Sequence, residues 1–229
     1  MTEIERSSLK TEALEKSKRL YLIIPLFIFH LVAYNLVGMY NDNCNYSFLL
    51  GLDYIIPFVP EMVWIYMTTY IVIPLVGLII NEERDLYRLI IAIFLTWFFT
   101  YPVFYFFPAI YPRPDFEIID LSTKILQINY LYDVPNNTFP SLHVSLSFVV
   151  AFAMIHINKR NKFFWLIWGL LISLSTVMVK KHFILDSLGG LIIAQVSYLL
   201  TFKLKIADNM IDLLENYIKK SREEKHVFR

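Results

Sequence analysis

The sequence predicts an all-α integral membrane protein: a six-transmembrane-helix bundle with both termini cytoplasmic. Three observations carry that expectation. Hydrophobic residues make up 57% of the 229 and charged residues only 18%, and the mean hydropathy is +0.51, whereas a soluble domain of this size needs far more polar surface. Apolar runs of roughly 20 residues, enough to cross a bilayer, recur along the chain. Lys and Arg fall unevenly on the two sides of those runs.

The first run, about Leu20 to Tyr40, follows Lys16, Lys18 and Arg19. It is too long for the core of a cleaved signal peptide and lacks a small-residue cleavage site, so it reads as a retained anchor. The others are Pro60 to Ile80, Leu86 to Phe107, Phe139 to Ile157, Phe163 to Val179, which is the shortest, and Phe183 to Phe202. Pro25, Pro74 and Pro102 lie inside spans and are expected to kink them. The longest connection runs from Pro108 to Thr138; within it Leu121 to Tyr132 predicts a short interfacial helix with Ser122 as its cap. After the last span, Ile206, Met210, Leu213, Leu214, Tyr217 and Ile218 share one helical face, which suits the inner leaflet or a plain extension of the span. The chain therefore reads as one domain: a cytoplasmic segment 1–19, a six-span core 20–202 and a cytoplasmic tail 203–229.

With the N-terminus inside, 17 of the 21 Lys and Arg residues lie on the cytoplasmic side; only Arg113, Lys124, Lys180 and Lys181 lie outside. A net charge of +1, with no basic stripe, gives no reason to expect a nucleic-acid partner. The single Cys44 excludes an internal disulfide and a Cys-rich metal site. No His, Asp and Glu set has metal-ligand spacing, so neither a metal nor another cofactor is expected. The expected setting is a bilayer, with the protein in the cell membrane.

Ionisable groups beside a membrane span cost free energy and point to function. Three polar clusters fall on the predicted outer face: Arg113 between Pro112 and Pro114, Ser141 and His143 at the start of the fourth run, and Lys180, Lys181, His182 and Asp186 between the fifth and sixth. A four-residue interval puts His182 and Asp186 on one helical face. An acid on one ring nitrogen fixes the tautomer and makes the other nitrogen more basic, able to attack phosphorus. His143 can protonate a leaving oxygen. Ser141, the helix start behind it, the planar fork of Arg113, and Lys180 or Lys181 can hold phosphate oxygens.

These residues resemble the type 2 phosphatidic acid phosphatase superfamily, which includes vanadium haloperoxidases. Pro140-Ser141-Leu142-His143 matches its Pro-Ser-x-His signature. Ser175, His182 and Asp186 match the Ser-Arg-x5-His-x3-Asp signature at the right spacing, and Arg113-Pro114 matches the end of Lys-x6-Arg-Pro. The resemblance implies that His182 is a nucleophile forming a phosphohistidine, Asp186 its orienter and His143 the general acid. It implies that Arg113, Ser141 and Ser175 hold the phosphate. Two family cations are missing, since Phe106 and Thr176 stand where Lys and Arg are usual; Lys180 and Lys181 are the candidates to replace them. The His-Phe-Ile-Leu-Asp run also looks like the branch with sphingomyelin and inositol phosphorylceramide synthases.

The function expected is therefore hydrolysis of a lipid phosphate or pyrophosphate at the outer face. Transfer of a phosphodiester headgroup is the alternative, and a non-catalytic lipid or anion carrier the third reading. The remaining polar residues get plainer expectations. Asp53, Glu61 and Asp115 read as solvated loop acids, His30 as a span-interior hydrogen bonder, His156 as an inner-interface residue and His226 as tail. The aromatic string Trp97 to Phe107 packs helices and faces lipid. Asn45-Tyr46-Ser47 and Asn136-Asn137-Thr138 fit the glycosylation pattern.

Overall fold

The structure is a computed structural model that describes residues 3–39, 46–133, 135–204, 206–213 and 216–217. Cys44, Asn45, Leu214, Ile218 and His226 lie outside the described residues. Among the described residues the named α-helices follow in order: α1 Glu3–Met39, α2 Val63–Ile79, α3 Glu83–Phe106, α4 Leu121–Tyr132, α5 Leu142–Ile157, α6 Lys162–Met178 and α7 Ile184–Tyr198, the last continued by a π-helical turn Leu199–Lys203. Among the described residues there is no strand, only isolated bridges from Tyr46 to Ala109 and from Ala109 to Asn137.

Among the described residues, five helical stretches are long and apolar enough to cross a membrane: Arg19–Met39, Pro60–Ile79, Glu83–Phe106, Lys159–Met178 and Ile184–Lys203. The stretch expected as the fourth span is α5, an apolar helix of only 16 residues. At 1.5 Å per residue it rises about 24 Å, short of a ~30 Å hydrocarbon core. Its surroundings explain how it can be short. α5 packs against α2, α3, α6 and α7, and most of its residues from Leu142 to Ala153 are buried, so protein replaces lipid around it. Ser145, Ser147, Ala151 and Ala153 keep its surface slim enough for close neighbours. Gly190 of α7 sits directly on α5: a Cβ there would lie 2.5 Å from the Ser141 carbonyl oxygen.

The other helices ring this central one and turn Phe98, Phe163, Leu170 and Ile192 outward. Such a wide apolar exterior fits hydrocarbon as solvent. α1 leans on α2 and α3. Arg19 donates to the carbonyls of Leu78, Ile80 and Asn81, satisfying the unpaired end of α2. His30 bonds the Tyr101 hydroxyl at 2.7 Å and stacks on Trp97, inside the bundle as its sequence position suggested. His156 bonds Tyr198 at 3.2 Å.

α4 occupies the predicted residues, but its cap is Asp120, whose Oδ1 accepts from the Thr123 amide at 2.8 Å. Ser122 instead accepts the Trp64 indole N–H at 3.0 Å. Residues 206–213 are helical, and Arg88 and Arg84 of α3 clamp them through Asp208 and Asp212. Ala207 and Ile211 turn inward, leaving Ile206, Met210 and Leu213 exposed. A further sequence expectation is corrected here. Asp53 is not solvated but 4% exposed. Asn136 is buried and donates to the Gly38 carbonyl at 2.8 Å, so the fold does not present it as a glycan acceptor.

Candidate active site

One turn, between α6 and α7, carries three of the site residues. α6 ends in a double hydrogen bond: Lys180 N donates to Val177 O, and Lys181 N to Thr176 O at 3.0 Å. This is a Schellman closure, which needs a left-handed residue. Lys180 fills that place with φ 53, where glycine is usual. The reversal sends adjacent lysines in different directions. Lys180 Nζ donates to Ile56 O at 2.6 Å and lies 3.4 Å from Asp53 O. Lys181 Nζ, 3% exposed as a residue, donates to Asp133 Oδ2 at 2.6 Å and to the Tyr66 hydroxyl at 3.1 Å.

His182 follows. Its Nδ1 lies 2.9 Å from the Thr138 carbonyl and 3.5 Å from Asp186 Oδ2. A carbonyl only accepts, so Nδ1 carries the hydrogen and Nε2 keeps its lone pair. Asp186 Oδ2 also accepts the Phe183 amide at 2.8 Å. Asp53, from the 3-10 turn Gly51–Tyr54, reaches across to accept the Ile184 amide at 2.9 Å, pinning the start of α7.

His143, in the first turn of α5, faces His182 with ring centroids 6.0 Å apart. Its Nε2 lies 2.6 Å from the Tyr66 hydroxyl and 3.0 Å from that of Tyr70. An ammonium cannot accept, so Tyr66 accepts from Lys181 and has one hydrogen left to give, to His143 or to Tyr70. Ser141 caps α5 by accepting the Val144 amide at 3.4 Å, and its own amide donates to the Asp186 carbonyl at 2.9 Å. That bond ties the two motifs together. Ser175 is buried within α6 and donates to Ile172 O at 2.7 Å.

Arg113 arrives from the loop after α3 and lies over the Tyr130 ring. It donates to the Tyr130 carbonyl and, at 2.6 Å, to that of Asp133. Its guanidinium is 3.6 Å from Asp133 Oδ2. Tyr34 of α1 donates to Asp133 Oδ1 at 2.5 Å. Burial opposes charge on Asp133, yet attraction to Lys181 and His143 and the bonds from Lys181 and Tyr34 outweigh it and bring the carboxyl down to about 2. Burial lowers the Lys181 ammonium, and Asp133 offsets part of that shift.

The structure thus brings His143, His182, Asp186, Ser141, Lys181 and Arg113 to one end of the bundle. It turns Lys180 onto a neighbouring loop and leaves the Phe106 side chain, where the family has lysine, 68% exposed. Sequence reasoning missed Asp133, Tyr34, Tyr66 and Tyr70. Only the tyrosine pair left a signal, since two phenols four residues apart in an apolar run share a helical face. Among the described residues no group of three or more His, Cys, Asp or Glu side chains is placed to hold a metal ion.

Below the site a cavity of about 350 Å³ opens between α1, α2, α3 and α5; Tyr34, Tyr70, Asp133 and His143 line it together with apolar side chains. The fold is similar to the crystal structure of LpxE from Aquifex aeolicus, at 21% identity and a TM-score of 0.50, covering 74% of this chain and 93% of that one. No curated protein matches the chain. The sequence pattern of the PAP2 superfamily matches residues 58–200, and Arg113, Ser141, His143, His182 and Asp186 all fall within that stretch; the chain belongs to the PAP2 superfamily.

Proposed function

We infer that this protein is a membrane lipid phosphatase working through a phosphohistidine. His182 Nε2 attacks phosphorus in line, and the P–O bond to the leaving lipid breaks. Asp186 and the Thr138 carbonyl stabilise the imidazolium that develops. A protonated His143 gives its proton to the leaving oxygen. Tyr66 and Tyr70 hydrogen-bond His143 Nε2 and hold the ring in position. Water then attacks the phosphohistidine, the P–N bond breaks, and His143 takes the proton from water. Lys181 and Arg113 hold phosphate oxygens, with Ser141 and Ser175 shaping the turns around them; Lys180 is the tether of the loop. No step requires a metal. The excess of Lys and Arg at the opposite end supports a site on the extracytoplasmic face.

The observation that carries this reading is the hydrogen bond from His182 Nδ1 to a carbonyl, which leaves Nε2 as the nucleophile. The test is phosphate release from lipid phosphomonoesters in detergent. His182→Ala should abolish it, by at least about 10⁴-fold; full phosphate release in that variant would overturn His182 as the nucleophile, and no release by the wild type would leave the transfer and carrier readings.

One observation favours headgroup transfer as the second reading. Both site cations face Asp133, so the trio carries a net charge near one. That matches a phosphodiester monoanion better than a monoester. Transfer predicts a new phospholipid, without phosphate release, when a hydroxylated lipid acceptor is supplied.

A further inference from the structure

We propose that the cavity below His143 holds one hydrocarbon chain of the lipid substrate, and that Ile23, Gly77 and Leu86 set the chain length it accepts. The proposal rests on the lipid-phosphate reading of the site and adds a specificity element to it.

The cavity joins two chemistries. At one end Tyr34, Tyr70, Asp133 and His143 line it, and Leu26, Ile73, Leu89, Ile93 and Leu146 are among its apolar walls. A ligand filling it needs a polar terminus at His143 and an apolar body, as a lipid phosphate has. At about 350 Å³ it sits at the low end of small-ligand sites, room for one chain rather than two. Its wall on α1 lies outside residues 58–200, the stretch that matches the superfamily.

Three lining residues meet at the far end. A Cβ on Gly77 would lie 2.8 Å from Ile23 Cδ1 and 3.8 Å from Leu86 Cδ1, so these three residues meet as a floor. Arg19, one turn below Ile23, fastens α1 to the terminal carbonyls of α2 beside these residues. The wall from Tyr34 to Ile23 runs about 16 Å and that from Tyr70 to Gly77 about 10 Å, at 1.5 Å per residue. Hydrocarbon already surrounds the protein, so transfer from lipid gives little selection. Selection comes from packing: a chain too long meets the floor, and one too short leaves a void.

Two variants move the floor in opposite directions. Gly77→Leu adds four carbons against Ile23 Cδ1 and Cγ1 and Leu86 Cδ1, and the Ile23 side chain must give way; it should shorten the preferred chain by about two to four methylenes. Ile23→Ala removes three carbons and should lengthen it by a similar amount. Opposite shifts exclude general damage to folding. Purified protein is offered phosphatidic acids of graded chain length in competition, and the bound lipids are read by native mass spectrometry. A phosphatidic acid with a diazirine at the end of one chain is photolysed, and the adducts are mapped. Adducts at Ile23, Gly77 or Leu86 and opposite length shifts support the proposal. Adducts confined to outward residues such as Phe98 and Ile192, or an unchanged length profile in both variants, overturn it. Neither readout needs turnover, so a chain site without any lipid turnover would sink the enzyme reading alone, and turnover without the shifts would sink the chain site alone.

Discussion

Replacing Asp133 by Asn removes one negative charge from the centre of the site at nearly constant volume. Asp133 Oδ2 connects to His143 Nε2 through Lys181 and Tyr66 by hydrogen bonds of 2.6, 3.1 and 2.6 Å, so the carboxylate lies at most about 8 Å from the ring that faces substrate. Unit charges about 8 Å apart interact by about 2 kcal/mol at an effective dielectric near 20. A phosphomonoester carries up to about one more negative charge than a diester. Asp133→Asn should therefore raise the ratio of kcat/KM for phosphatidic acid over a matched phosphodiester lipid by about 30-fold. The assay is turnover of both lipids in the same mixed micelles. A ratio unchanged within threefold, or moved toward the diester, would refute the idea that Asp133 sets the charge of the site. The same variant has a pH signature. The folded carboxyl ionises near 2 rather than near the ordinary ~3.9, so it contributes about 2 kcal/mol of stability that is full above about pH 4. That contribution is lost as pH falls through about 2, and the wild-type advantage in melting temperature should vanish there.

Gly190→Ala drives a methyl into the Ser141 carbonyl at 2.5 Å and the Ser145 amide at 3.2 Å; neither backbone atom can swing aside, so α5 and α7 must part. It should cost about 1–3 kcal/mol in detergent unfolding and reduce turnover at least about tenfold by loosening Ser141 from Asp186, whereas Gly51→Ala, with nothing within 4 Å, should change neither. The two adjacent lysines should separate cleanly. Lys180→Ala loses a loop tether and should keep kcat/KM within about threefold, while Lys181→Met leaves Asp133 buried without its cation and should cut it at least about 100-fold. Equal losses in the two variants would show that Lys180 also touches substrate.

What the sequence discloses here follows the range of the interaction. Hydropathy is a property of a run, and the apolar runs became helices near their expected limits. His182 and Asp186 are one helical turn apart, so their proximity was readable from an interval of four. The site's other contacts have no such interval. The acceptor nearest His182 Nδ1 is the backbone of Thr138, and a carbonyl has no letter in the sequence. Asp133 looks like any acid closing a short helix until Lys181, Tyr34 and Arg113 reach it from three other segments. Asp120 and Ser122 are both good caps, and the choice between them was made by Trp64, 58 residues from Ser122, claiming the hydroxyl. Lys180 and Lys181 are the sharpest case. They are identical in chemistry and adjacent in sequence, and their difference arises from one backbone angle: φ 53 at Lys180 turns the chain. One ammonium is thereby left on the Ile56 carbonyl and the other is placed on Asp133. A site built across such a turn can be located from its motifs, but its charge is decided by which side of the turn each cation leaves on. For this protein that single backbone angle is what leaves one lysine, rather than two, on Asp133.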